Sequence, residues 1–185
     1  IPIFMIDDFA KEMKEKGKRR KQVVDRDIAN SGADLCRRVK VLLDDWGVPG
    51  VNSLSFDDGA SDIKINQRDR VSYGKGKRGI FLTAYMVALM ERALGNKHPH
   101  IGITVIDSPV VTYKDPKHAK NVEKEELLDE SVKDCFYAWL ASRQEPGQII
   151  ILENEEPNAE TLPLLRHTEF FGAGNTTGRG GFFLV

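Results

Sequence analysis

Three features of the 185-residue sequence predict an α/β fold with a mostly parallel sheet flanked by helices. The apolar run Ile101-Gly-Ile-Thr-Val-Ile106 ends abruptly at Asp107-Ser108-Pro109. A second apolar run, Gln148–Leu152, ends in the acidic stretch Glu153-Asn-Glu-Glu-Pro157. Between them, Glu123–Ser142 carries Leu127, Leu128, Val132, Phe136, Trp139 and Leu140 at helical spacing. Two buried strands joined by such a helix form a βαβ unit, whose strands run parallel. Ligands of these sheets bind beyond the carboxyl ends of the strands. Topology alone therefore places Asp107 and Glu153 at one ligand-facing end.

The remaining elements follow in chain order. Residues 6–30 are dense in charge, above all Lys11–Lys21, with sparse apolar positions (Phe9, Met13, Val23, Val24, Ile28). That pattern predicts a solvated helix or the end of a coiled coil, with Asn30-Ser-Gly32 breaking it. Acids interleave the lysines, which favours a solvated face over a run of DNA phosphate contacts. Ala33 to about Trp46 reads as an amphipathic helix (Leu35, Val39, Leu42, Leu43), stopped by Gly47-Val-Pro-Gly50. Val51, Leu54 and Phe56, then Ile63 and Ile65, alternate with polar residues as two strands of a hairpin turned at Asp57-Asp-Gly-Ala60. Gly79 to about Leu94 is nearly all apolar, hence a buried helix. Ile101–Ile106, a continuous apolar run, is expected to be a central strand covered on both faces. Tyr113–Asn121 is a polar loop, Gly172–Gly181 a glycine-rich segment that lets the final strand turn back, with Arg179 in it an alternative phosphate contact, and Phe182–Val185 an edge strand.

Composition bounds the function. With 41% hydrophobic and 30% charged residues, the chain reads as a soluble globular protein with a real core. A net charge of -1 gives no global field toward nucleic acid. No apolar run approaches the roughly 20 residues that cross a bilayer, so no membrane partner is expected. Ile1-Pro-Ile-Phe-Met5 runs straight into charged residues, unlike a signal peptide, and the missing initiator Met suggests a piece of something longer. Cys36 and Cys135, each in a helical segment, read as buried thiols in a reducing, cytoplasmic setting. His98, His100, His118 and His167 have no zinc spacing with them.

Two motifs carry chemistry. An aspartate delivered by an apolar strand suits Mg²⁺, which takes one or two carboxylates plus phosphate oxygens; the plainer alternative is that Asp107 caps the Asp-Ser-Pro turn. Upstream, Tyr73-Gly74-Lys75-Gly76-Lys77-Arg78 leads into the apolar helix. A glycine loop at a helix N-terminus offers N–H groups and a positive dipole to an anion, and three cations add to it. This is not a P-loop: G-x-x-x-x-G-K-[ST] occurs nowhere in the chain.

Tyr73–Arg78, the helix behind it and Ile101–Pro109 together resemble the signature loop, helix and Walker B strand of ABC ATPases. The likeness is to the coiled-coil, SMC-like subclass of chromosome maintenance and DNA repair. It covers about Ala33 to Val185, and Gln148–Asn154 resembles the strand leading to that family's switch loop. The resemblance implies a C-terminal ATPase lobe over 31–185, preceded by the end of a coiled-coil arm over 1–30. It implies ATP and Mg²⁺ as cofactors, with Asp107 the metal ligand and Tyr73, Gly74, Lys75, Gly76, Lys77 and Arg78 the nucleotide-contacting turn. It implies an N-terminal P-loop lobe, a head-to-tail homodimer, and work on DNA or a partner effector, as in repair and anti-phage defence systems.

The departures bear on chemistry. The family's Leu-Ser-Gly-Gly-Glu/Gln is replaced by Tyr73–Lys77, so the phosphate-binding serine is missing. Walker B normally ends Asp-Glu; Ser108 follows Asp107 here, and a serine positions water but is a poor base. The switch histidine is replaced by Glu153 or Asn154. Glu153, then Glu155, are the candidate bases; otherwise the head is a slow, nucleotide-gated clamp. Two rival readings stand beside this one. The first is a Mg²⁺-dependent nuclease using Asp107, Glu153 and Glu155. The second is a nucleotide-sensing scaffold that does not hydrolyse.

Overall fold

The structure, a computed structural model, describes residues 3–110, 128–154 and 156–170. The expected loop Tyr113–Asn121, residues 123–127 of the expected crossover helix, Glu155, the glycine-rich Gly172–Gly181 with Arg179, and the strand Phe182–Val185 lie outside the described residues.

Helix α1 spans Ile3–Asp45 as a single 43-residue element. The predicted break at Asn30-Ser-Gly32 is therefore absent. Gly32 is there for close approach: a Cβ at this position would fall 2.8 Å from the Phe56 side chain. Residues 11–20 are exposed, whereas Leu35, Cys36, Val39, Leu42, Leu43 and Trp46 are buried. The helix stops where expected. Gly47 takes φ +69°, its N–H donates to Asp44, and Val48 N–H donates to Leu43, which is the Schellman pattern.

Strands β1 (Leu54–Asp57), β2 (Asp62–Ile65) and β3 (Arg68–Asp69) form an antiparallel sheet in that order. The expected hairpin is present, closed by Gly59 and Ala60 N–H donating to the Asp57 carboxylate at 3.0 Å. The third strand was not anticipated. A 3-10 turn over Arg70–Ser72 leads to α2, Lys75–Gly95. Helix α2 starts four residues earlier than the apolar pattern implied: Gly74 is its extended N-cap, and Arg78 N–H donates to Gly74 at 2.9 Å.

Strand β4 (Ile103–Asp107), helix α3 (Glu130–Ser142) and strand β5 (Gln148–Leu152) follow. The Asp129 side chain caps α3 by accepting from Ser131 N–H. β4 and β5 pair parallel, with Ile103 opposite Gln148 and Asp107 opposite Leu152, as the βαβ reading required. The expected burial on both faces is not found. Along β4 burial alternates: Thr104 and Ile106 are buried, while Ile103 and Val105 are 39% and 51% exposed. Ile150 and Leu152 extend the same open face. Gly102, at φ +72°, turns the chain into β4 and leaves Ile101 outside it. The result is a mixed α/β fold with a two-stranded parallel sheet beside the three-stranded antiparallel one.

The core joins α1, α2, α3 and one side of both sheets. Trp46 sits at its centre, edge-on to Phe136 at 5.0 Å and to Trp139 at 5.1 Å. Cys36 is buried there, but Cys135 is exposed, correcting the expectation that both thiols are buried. No described helix is long and apolar enough to cross a membrane.

Candidate nucleotide and metal site

Helix α2 runs antiparallel to β4. Leu94 lies by Gly102, the Met90 sulfur is 3.4 Å from the Thr104 hydroxyl, and Gly79 abuts Pro109. This direction brings the N-terminus of α2 and the carboxyl end of β4 to one end of the molecule. Both sequence-predicted centres, the 73–78 turn and Asp107, are there.

Asp107 is the last residue of β4 and is exposed. The chain is pinned just beyond it. Ser108 N–H continues the ladder to Leu152 at 2.9 Å, and Pro109 and Val110 are buried. Ser108 takes φ +47°, a left-handed conformation that costs a non-glycine residue on the order of 1 kcal/mol. The turn holds the Asp107 carboxylate at the rim and the Ser108 hydroxyl 3.1 Å from its Oδ1. Asp107 shares the open pleat face with Ile103 and Val105. The exposed Asp107 carboxylate thus stands beside the apolar surface of Ile103 and Val105.

The glycine turn is built from structural and receptive halves. Tyr73 is structural: its hydroxyl donates to the Ile65 carbonyl at 2.8 Å, its ring meets Phe81 edge-on at 5.1 Å, and the Arg68 guanidinium lies 4.5 Å above it. Gly74 caps α2 without any side-chain cap, and no acid occupies the first turn. Among the described residues no side chain caps the first N–H groups of α2, which carry the positive end of the helix dipole. Gly76 is buried, Lys77 half-buried, and Lys75 and Arg78 exposed. A positive helix end with three basic side chains is an anion-receptive surface.

Glu153 lies one residue beyond β5, half-buried, with Oε1 accepting from Asn154 N–H at 2.9 Å. Among the described residues, no three His, Cys, Asp or Glu side chains gather to hold a metal. Asp107 would therefore serve as a single protein carboxylate, the situation in which Mg²⁺ keeps several waters and binds phosphate oxygens.

Sequence reasoning missed the residues that hold this frame. Glu91 of α2 is 8% exposed and accepts from Arg38 of α1 at 2.7 Å and from Arg143, itself 7% exposed, at 3.3 Å. Arg143 also donates to the carbonyls of Glu145, Pro146 and Gly147, fixing the turn that feeds β5. The one sequence signal was an acid followed by a base, Glu91-Arg92, inside an otherwise apolar helix. Next to the glycine turn, Arg70 clamps Asp62 through two nitrogens, at 3.0 and 2.8 Å. No protein-family model matches this chain, and no curated protein matches it in sequence.

Proposed function

We propose that this chain is the C-terminal lobe of an SMC-like ABC ATPase head, which binds ATP and Mg²⁺ in a composite site. The observation that carries the reading is the meeting of α2's uncapped N-terminus with the carboxyl end of β4. Gly79 lies against the Ser108–Pro109 backbone, so the signature-like turn and the Walker B-like aspartate form one edge. A second support is the open apolar face of Ile103, Val105, Ile150 and Leu152. A two-stranded sheet is marginal alone, and an N-terminal lobe carrying the P-loop would cover and extend this one. Two such heads would pair head to tail in the cytoplasm, the turn of each closing on the other's triphosphate.

In each composite site Asp107 of one head would hold Mg²⁺ or a water of its shell, and the Lys75, Lys77 and Arg78 turn of the paired head would neutralise phosphate oxygens at its helix end. Glu153 is the candidate base, and it requires hydrogen-bond reach to the lytic water. Ser108 points its hydroxyl at Asp107, so it orients the metal ligand more readily than it activates water. That geometry favours slow turnover, with nucleotide acting as a clamp that moves α1 and, through it, DNA or an effector. The test is ATP turnover by this lobe joined to a P-loop lobe. Glu153→Gln should abolish turnover and retain ATP binding; an unchanged rate removes Glu153 from the reaction.

A further inference from the structure

A groove of about 530 Å³ runs between α1 and β1, outside the candidate nucleotide site. Ala33, Cys36, Arg37 and Lys40 form its helix wall, and residues 52–56 with Asp58 its strand wall. Neighbouring residues Ser53, Leu54, Ser55 and Phe56 all line it. Successive side chains of a strand face opposite ways, so the groove follows the strand's edge, not one of its faces.

Among the described residues that edge is unpaired: in the order β1-β2-β3, β1 has a partner on one side alone. Asn66 N–H donates to the Ser53 carbonyl, which sets the parity of the ladder. Ser53, Ser55 and Asp57 therefore bond toward β2, while the N–H and C=O of Leu54 and Phe56 point to the groove. None of these four groups has a partner among the described residues, although both side chains are half-buried. Half-buried backbone groups in a strand seek a donor and an acceptor in alternation. A phosphate supplies acceptors alone; an extended peptide supplies both at the right spacing.

Charge narrows the occupant. Arg37 and Lys40 stand on the rim against one acid, Asp58. Both already pair along α1: Arg37 with half-buried Asp34, which Arg92 of α2 also holds at 3.2 Å, and Lys40 with exposed Asp44, so an incoming carboxylate competes with these contacts. The floor is Ala33 and the buried thiol of Cys36, whose ionisation burial pushes up, so it stays neutral. We propose that an extended acidic segment of a partner protein adds as a strand to the free edge of β1, its carboxylate directed to Arg37 and Lys40. This is strand addition with side-chain selection by charge. The helix wall spans about 10 Å, which matches roughly three extended residues, so the recognised element is short.

The probe is a fluorescein-labelled Glu-Val-Glu-Val-Glu peptide titrated into the whole chain without nucleotide or Mg²⁺, so its outcome does not depend on the ATPase reading. Saturable binding should appear at roughly millimolar peptide or below, with amide shifts centred on Leu54 and Phe56. Arg37→Glu/Lys40→Glu should weaken it about tenfold and favour the Lys-Val-Lys-Val-Lys peptide instead. Leu54→Pro removes one outward N–H and leaves the β1–β2 ladder whole; it should weaken binding well beyond Leu54→Ala, with circular dichroism reporting intact folding for both. No saturable binding, equal binding of a backbone N-methylated acidic peptide, or equal affinity after charge reversal overturns the proposal.

Discussion

A Cβ on Gly79 would stand 3.3 Å from the carbonyl oxygen of Pro109 and 3.7 Å from that of Ser108. The helix that begins at the glycine turn and the corner that follows Asp107 therefore touch backbone to backbone. A methyl group needs a shift of a few tenths of an ångström; a branched side chain needs the corner to move. Gly79→Ala should be nearly neutral, whereas Gly79→Val should cost about 1–3 kcal/mol by overpacking. Urea unfolding of both variants checks the difference.

Arg143 and Glu91 form an ion pair that is about nine-tenths buried on both sides. Removing one member of such a pair strands the other, and here it also releases three carbonyls of the turn before β5. Arg143→Leu should destabilise the fold by about 3 kcal/mol. Glu91→Gln, which keeps an acceptor for both arginines, should cost less. Midpoints in urea rank the two.

Two glycines of α1 should respond with opposite signs. Gly17 has no neighbour within 4 Å, so Gly17→Ala should stabilise the helix by about 1 kcal/mol. Gly32 meets Phe56, so Gly32→Ala should destabilise by about 1–3 kcal/mol despite the better helix propensity. Thermal melts of the single variants give the signs directly.

Asp57 titrates below the ordinary carboxylate range. The hydrogen bond from Lys64, at 2.6 Å, is the first cause, followed by the Ala60 N–H and the Lys64 charge. A depressed carboxyl stabilises the fold above its unfolded pKa of about 3.9 and loses that contribution as pH falls through its lower folded value. The Gly59 and Ala60 amides should therefore lose protection, measured against their intrinsic exchange rates, below about pH 4. Asp57→Asn should show lower protection at neutral pH and little further loss of protection on acidification. Amide hydrogen exchange by NMR reads both.

The parts legible in the sequence were those encoded locally. The order glycine turn, apolar helix and apolar run ending in Asp107 fixed where α2 and β4 lie, and the two acid-terminated runs gave the parallel pair. β3 escaped because it is two residues long and its turn uses Asn66 and Gln67, at φ +50° and +64°, with no glycine to mark it. The continuity of α1 escaped because Gly32 reads as a helix breaker when its reason is Phe56. The open face of β4 was misjudged because an apolar run reports what a strand can bury, not what its own chain supplies to cover it. The Arg38–Glu91–Arg143 network joins residues 53 and 52 positions apart, a distance at which sequence pattern carries no signal.

Mg²⁺-dependent ATP turnover by the complete head, with Asp107 and with Asp107→Asn, tests the central claim most directly. The account predicts turnover with the aspartate, a loss of at least about a hundredfold with the asparagine, and ATP binding retained in Mg²⁺-free buffer. Equal turnover by both proteins, or plasmid nicking by this chain alone in Mg²⁺, would contradict it.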